Sequence, residues 1–319
     1  MTIESHVDTD SCSPTTTVST AIVSYNTIDL LRNCLSSFPH EPGITVTVID
    51  NGSSDGSIEM VRAEFPQVQL IVSTRNAGYG AAANLALRQT QADYLFLLNS
   101  DTTLHAGIVR SLADYLDQHP EVAVVGPRLL NVDGSHQSST YSWPTPLHLI
   151  LQESGLIRAV ANIPLMRNYF PRTWRHDVAR SVAWLLGAAL MLRIDAMRSV
   201  GGFDERYFMY YEEVDLCLRL SACGWERRFV PELTLVHVGG ASTQHYASAM
   251  ALEWRRGLGR LYADHFSRFQ LVTMQLVMVA IIALRLMRET IRLLMVTGNS
   301  RTQSLNRLRM WCAMIRTCP

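Results

Sequence analysis

The sequence predicts an α/β fold: a mixed, mostly parallel sheet flanked by helices on both faces, followed by a C-terminal helical segment that associates with a membrane. Three observations predict it. Four short apolar runs alternate with helix-period segments between Ser19 and Asn99. Each of those runs stops at a polar, turn-forming cluster. Beyond Phe266 the pattern changes to a long apolar stretch set with arginines.

Residues 1–18, MTIESHVDTDSCSPTTTV, lack the basic start and apolar run of a signal peptide and read as a flexible tail. Ser19–Ser24 is the first buried strand, and the helix Ile28–Phe38 follows it. A second strand, Ile44–Ile49, ends in the turn DNGSSDGS, and the helix Ser57–Glu64 leads to a third strand, Gln69–Ser73. The glycines of RNAGYG open the helix AAANLALRQT, and the fourth strand is Tyr94–Asn99. Ligands of such sheets bind at the carboxyl ends of the strands, where Tyr25-Asn26, Asp50-Asn51, Arg75-Asn76 and Asn99 to Asp101 all fall. Gly107–His119 reads as a helix and Val122–Pro127 as a strand. Residues 131–180, with prolines at 144, 146, 164 and 171, read as an irregular insertion near a cleft. WLLGAALMLR then has a strand pattern, and the stretch to Gly240 reads as helix, loop, helix and strand. This gives a body over 19–266 and a C-terminal region over 267–319.

In that region the apolar run Leu271–Leu284 breaks at Arg285, short of the roughly eighteen residues a membrane span requires. An interfacial helix is the favoured reading, with a packed helix and a true span left open. From Phe266 onward eight arginines face one acid, Glu289, although the whole chain has a formal charge of zero. Arginines set among Leu, Ile, Met and Val suit an anionic membrane surface, so no nucleic-acid partner is expected. The six cysteines form no CxxC pair and no zinc spacing with histidine, which fits a reducing, cytosolic setting.

Asp50 stands at a strand end, where its carboxylate can accept a ring N–H of uracil or thymine; capping of the following turn is the alternative, and Asp55 suits that better. Counted from Asn51, the twelfth position of an EF-hand loop would be Arg62, so a calcium loop is excluded. Gly78 to Ala83 match the GxGxxA dinucleotide fingerprint, but that motif belongs after the first strand, which here ends in Ser24-Tyr25-Asn26. The glycines can instead admit backbone to a ligand, with Arg75 available to a phosphate; a purely structural role stays open. Asp101 projects past a strand end, as a carboxylate ligand of Mg2+ or Mn2+ would, or as an N-cap. His237, at the end of Thr234–Val238, could be the second ligand or a hydrogen-bonded core histidine. Glu212, Glu213 and Asp215 crowd one helix start, where mutual repulsion raises a pKa and makes a base, unless they form a solvated first turn.

The ordered blocks AIVSYN, VIDNGSSDGS, RNAGYGAAAN, LLNSDT, WLLGAALMLR, GGFDERYFMYYEEVDLCLR and VHVGGAST resemble family 2 of the glycosyltransferases, with the GT-A fold, in its rhamnosyltransferase-like branch. The resemblance runs from Thr20 to Phe266 and implies specific roles. Asp50 is implied as the base-recognising aspartate; Ser24, Asn26, Asn51, Arg75, Asn76 and Gly78 as further nucleotide-binding positions; and Asn99-Ser100-Asp101 as the metal-binding DXD motif with Asn for its first acid. His237 completes the metal site by match, Glu213 is the general base, and Glu212 and Asp215 stand in reserve near the substrate. Trp184 and Gly187 match the block that shapes the donor-sugar and acceptor side.

The resemblance implies an inverting single displacement with Mg2+ or Mn2+ as cofactor. The implied donor is a dTDP- or UDP-linked sugar, dTDP-L-rhamnose first, and the acceptor a polyprenyl-diphosphate-linked saccharide at the cytoplasmic face of the cell membrane. A homo-oligomer stays open. Two rival classes are weighed: an NAD(P)-dependent oxidoreductase, resting on GxGxxA, and a catalytically silent, membrane-associated nucleotide-sugar-binding protein. The acid cluster at 212–215 favours the transferase over both.

Overall fold

The computed structural model describes residues 16–38, 41–153, 163, 176–240 and 247–295, with positions 304, 305, 308 and 312. Most of the expected N-terminal tail, part of the irregular insertion, the end of the VHVGGAST block and most of the chain beyond 295 lie outside the described residues.

In chain order the first half holds β1 (Val18–Ser24), α1 (Ile28–Ser36), β2 (Ile44–Asp50), α2 (Ser57–Glu64), β3 (Gln69–Val72), α3 (Tyr79–Gln89), β4 (Tyr94–Asn99), β5 (Thr102–Thr103), α4 (Ile108–Gln118) and β6 (Val122–Leu130). The second half holds β7 (His136–Gln137), β8 (Thr140–Tyr141), α5 (Pro146–Glu153), β9 (Arg180–Ser181), β10 (Trp184–Leu185), β11 (Ala189–Arg193), α6 (Ile194–Ser199), α7 (Glu212–Ala222), β12 (Glu226–His237), α8 (Ala247–His265) and α9 (Arg268–Met295). The stretch WLLGAALMLR, expected as one strand, is thus split into β10 and β11 around Leu186-Gly187-Ala188. The insertion expected to be irregular contributes β7, β8 and α5.

The main sheet runs β3-β2-β1-β4-β11-β6-β12-β5. Strands β1 to β4 are mutually parallel, as their alternation with helices requires. β11 enters antiparallel between β4 and β6, and β12 runs parallel to β6. The sheet is therefore mixed.

Side chains alternate across it. Ile22, Val48, Phe96 and Leu98 face a core closed by Leu31 of α1, Met60 of α2 and Leu112 of α4. Ala21, Ile49, Leu95 and Leu97 face the opposite core, closed by Ala82 of α3, Met197 of α6 and Leu216 of α7. Burial on both faces explains why these strands read as continuous apolar runs. A third cluster joins Tyr207, Tyr211 and Val214 to Leu258, Leu261 and Tyr262 of α8 and Met274 and Met278 of α9.

Register sets the site. Ser24 pairs with Asp50, Val23 with Asn99 and Asp50 with Val72, so the polar ends of β1, β2 and β4 emerge along one edge.

Candidate active site

At that edge Asp50 is buried, and its Oδ1 accepts the backbone N–H groups of Gly52 at 3.1 Å and Ser53 at 2.8 Å. Its Oδ2 is also buried and has no hydrogen-bond partner. An unpaired buried carboxylate oxygen is costly, and Asp50 stands behind the cavity, which its neighbour Asn51 lines. Asp55, by contrast, accepts Ile28 N–H at 2.9 Å and the Ser57 hydroxyl at 2.6 Å, tying the starts of α1 and α2 together.

The loop after β3 is pinned to this edge by two amides. Asn51 donates to Asn76 Oδ1 at 2.9 Å and to the Gly78 carbonyl at 3.1 Å, and accepts Ala77 N–H at 3.1 Å. Asn26, in a left-handed conformation (φ 51°), accepts the N–H of Ser54 at 2.8 Å. Ser24 is buried in a hydroxyl chain, 3.0 Å from Thr27, which is 2.8 Å from Ser100. Arg75 is exposed, its backbone against Gly52. Ser24 and Asn26 thus brace the edge, while Asn51, Asn76, Asn99, Ser100 and Asp101 line the cavity beside it.

Gly78 and Gly80 have packing roles. A Cβ on Gly78 (φ +95°) would stand 2.3 Å from the carbonyl oxygen of Phe208, and one on Gly80 would meet Phe203 at 3.1 Å. The segment follows β3 at the outer edge of the sheet, far from the position a dinucleotide fingerprint takes after the first strand.

Asp101 and His237 meet because β12 pairs with the two-residue β5, placing His237 opposite Thr102. His237 Nε2 lies 3.2 Å from Asp101 Oδ1, and Gly239 N–H donates to Asp101 Oδ2 at 3.0 Å. The other ring nitrogen, Nδ1, lies 2.6 Å from Gln137 Oε1. Gln137 uses its amide nitrogen on Asn131 and on the His237 carbonyl, so its oxygen faces the ring and takes the Nδ1 proton. That tautomer aims the lone pair of Nε2 at the Asp101 carboxylate. Nε2 also lies 3.4 Å from the Asn99 amide nitrogen. A cation between Nε2 and the carboxylate would relieve the contact of two acceptors, and an outer-shell amide fixing the ring is a usual feature of metal-ligating histidines. Among the described residues no group of three His, Cys, Asp or Glu side chains is placed to hold a metal ion.

Glu212 and Glu213 open α7 and are both buried. The chain enters that helix through two consecutive left-handed residues, Tyr210 (φ 68°) and Tyr211 (φ 70°). Such conformations cost on the order of 1 kcal/mol each for non-glycine residues and concentrate at functional sites. Burial pushes the Glu213 carboxyl up to about 7, although the backbone N–H groups of Gly187 and Tyr211 favour its charged form. Burial first, and then the charge of Glu213, hold Glu212 well above the usual carboxylate range. Each has one buried oxygen without a hydrogen-bond partner. Asp215 is placed differently: Arg219 and His265 each grip it at 2.6 Å, and it does not line the cavity.

A cavity of about 680 Å³ brings these groups together, lined by Asn99, Asp101 and His237 on one side and Glu212 and Glu213 on another. Gly187 lines it and accepts the Tyr79 hydroxyl at 2.6 Å. Trp184 stacks behind the lining residue Tyr141, ring centroids 4.4 Å apart. Gln137, Tyr79, Tyr141, Met250 and Glu253 belong to this site without having been singled out from sequence. Tyr79 lay inside a motif already noted; the others carried no local signal.

Residues 19–171 match the family described as Glycosyl transferase family 2. The N-acetylglucosaminyl-diphospho-decaprenol L-rhamnosyltransferase of Mycobacterium tuberculosis (strain CDC 1551 / Oshkosh) is 32% identical over 222 residues, covering 65% of this chain and 70% of that one. The pre-mycofactocin glycosyltransferase of the same organism is 30% identical over 198 residues, 61% of this chain and 37% of that protein. Among solved structures, a mannosyltransferase from Pyrobaculum calidifontis in complex with GDP-Man and Mn2+ covers 94% of this chain and 85% of that chain, with a TM-score of 0.51 at 16% identity, a likeness of fold. The matched blocks lie on the strands and loops that build the cavity, and with them the chain belongs to the family 2 glycosyltransferases: a rhamnosyltransferase-like glycosyltransferase on a GT-A sheet.

Proposed function

We propose that the chain transfers a sugar with inversion from a nucleotide-sugar, dTDP-L-rhamnose first, to a polyprenyl-diphosphate-linked saccharide at the cytoplasmic face of the membrane, in the synthesis of a cell-wall, O-antigen or exopolysaccharide glycan. The observation that carries this reading is the pair of buried carboxyls, Glu212 and Glu213, sharing one cavity with the Asp101–His237 pair. The donor and acceptor follow the printed activity of the Mycobacterium tuberculosis relative.

In this mechanism Asp50 Oδ2 accepts the ring N–H of the base, and Asn51 and Asn76 hold the loop that covers the nucleoside. Asp101 and His237 would hold a divalent cation, Mg2+ or Mn2+, which when bound supplies Lewis-acid neutralisation of the diphosphate. Glu213 takes the proton of the acceptor hydroxyl as that oxygen attacks the anomeric carbon and the nucleoside diphosphate leaves from the opposite face. Glu212 keeps its proton beside it, so the pair carries one negative charge, not two. Exclusion of water from these buried carboxyls strengthens the interaction with the developing charge.

A panel of nucleotide-sugars, assayed for donor hydrolysis with and without Mn2+, tests the reading. Turnover is expected in the native chain, with loss in Glu213→Gln and in Asp101→Ala. Full turnover in both variants overturns the site assignment.

A further inference from the structure

The fourteen-residue apolar run read from sequence is part of a single 28-residue helix, α9, that continues through Arg285 to Met295. Its two faces differ. Met274, Met278 and Ile282 are buried on the inner face, the two methionines in one cluster with Leu258, Leu261 and Tyr262 of α8. On the outer face Phe269, Val272, Leu276, Leu284, Met287 and Leu294 are exposed, Phe269 by 80% and Leu294 by 84%. At 100° per residue these positions fall on one stripe about 40 Å long.

We infer that α9 lies in the plane of an anionic lipid surface with this stripe in the acyl boundary, and does not cross the bilayer. At 27 residues from Arg268 to Leu294 the helix is long and apolar enough to cross a bilayer, which the fourteen-residue run alone was not. A span would draw in α8, on which Met274 and Met278 pack, and α8 carries Glu253, Arg255, Arg256, Arg260 and Asp264, charges that hydrocarbon opposes. The threonine hydroxyls on the outer face are satisfied within the helix. The hydroxyls of Thr273 and Thr290 both turn back to donate to backbone carbonyls one turn earlier, at 2.7 and 2.8 Å. Charge selects lipid over a second copy of the chain. Arg288 and Arg292 are exposed on the flank between the stripe and the inner face, whereas the acid of this helix, Glu289, is buried. The same face of a second copy would offer these arginines no exposed acid of α9, whereas lipid phosphates would neutralise them.

This orientation deepens the proposed use of a lipid-linked acceptor and rests on it for its purpose. α8 carries α9 through Leu258 and Tyr262 and contributes Ala249, Met250 and Glu253 to the cavity, so one helix joins the lipid-facing strip to the site.

The test is flotation of the full chain with phosphatidylcholine vesicles, with and without phosphatidylglycerol, followed by an alkaline carbonate wash. Flotation is expected with anionic vesicles and release by carbonate. Leu276→Glu combined with Met287→Glu should weaken vesicle binding by about tenfold or more, because two charges enter the acyl boundary. Both positions are exposed, so donor hydrolysis in solution should stay at the native level. Hydrolysis lost from the native chain sinks the proposed function instead, leaving the flotation result to stand by itself. Resistance to carbonate would establish a span and overturn the inference. So would native flotation by the double variant, or light scattering that shows a native dimer which the double variant dissociates with no vesicle binding by either.

Discussion

Glu213→Gln and Glu212→Gln, made separately, distinguish two carboxyls that share the first turn of α7. A general base must be ionised to act, and the Glu213 carboxyl sits at about 7 because it is buried. From that value about one molecule in a hundred carries the base form at pH 5 and about nine in ten at pH 8. The ratio kcat/KM should therefore fall roughly ninety-fold as pH drops across that range, with its acid limb near neutrality and not in the usual carboxylate region. Glu212 is held further up by burial and by the charge on Glu213, so it keeps its proton throughout. Glutamine is close in shape to a protonated glutamic acid. Glu212→Gln should thus keep turnover within about threefold and leave the acid limb in place, whereas Glu213→Gln should lose about 10²- to 10⁴-fold. The assay is initial-rate release of nucleoside diphosphate at saturating metal, from pH 5 to 9. Inactivation by Glu212→Gln with Glu213→Gln still active would refute the assignment of the base, and an acid limb near pH 4 would refute its burial-driven shift.

The same shift has a stability consequence. Because the folded Glu213 binds its proton more tightly than the unfolded chain does, its contribution is present below about pH 4.5 and is lost as pH rises through about 7. Glu213→Gln should raise Tm at pH 8 and not at pH 4, with up to about 3 kcal/mol recovered, measured by calorimetry. Gln137→Ala removes the acceptor that fixes the His237 ring and should weaken Mn2+ binding about 10- to 100-fold without changing Tm appreciably, as read by Mn2+ titration. Asp50→Asn removes the charge from the unpaired buried oxygen and should weaken dTDP and UDP binding by about 1.5–3 kcal/mol in isothermal titration. Gly78→Ala drives a Cβ against the Phe208 carbonyl and should cost at least about 2 kcal/mol in urea unfolding, with donor binding lost alongside.

The strands β1, β2 and β4 were legible because each is a largely apolar run, buried on both faces over most of its length, that stops at a turn signal, while β3 is a short, partly exposed edge strand marked by its apolar residues Leu70 to Val72. The antiparallel entry of β11 was not legible, since the direction of a strand depends on the path of the chain that returns to it. The acid cluster pointed to the site by its charge density, yet it could not separate its members. On a helix, positions 213 and 215 lie about 200° apart, which is why one faces the cavity and the other turns to Arg219 and His265. His237 needed the family resemblance because a two-residue strand, β5, sets its register against Asp101, and no pattern marks so short a strand. Gln137 lies in a segment read as irregular and had no signal of its own.

The proposed base and the exposed apolar strip of α9 are also connected mechanically. The turn at Tyr210-Tyr211 aims Glu212 and Glu213 into the cavity in a conformation that non-glycine residues resist. It is held there by α8: a Cβ on Gly257 would stand 2.9 Å from both the Tyr210 carbonyl oxygen and the Tyr211 ring, so the helix backbone packs directly on the turn. Tyr211 also lies against Trp254, ring centroids 5.7 Å apart. Gly257→Ala therefore perturbs the base without touching it. Because the bulk falls on the turn, the expected loss is in kcat, with the acid limb of the pH profile moved, while the nucleotide affinity proposed for Asp50 and Asn51 at the far edge of the site is retained. Loss of nucleotide binding with an unmoved pH profile would show that α8 supports the fold as a whole and not the turn that carries the carboxyls.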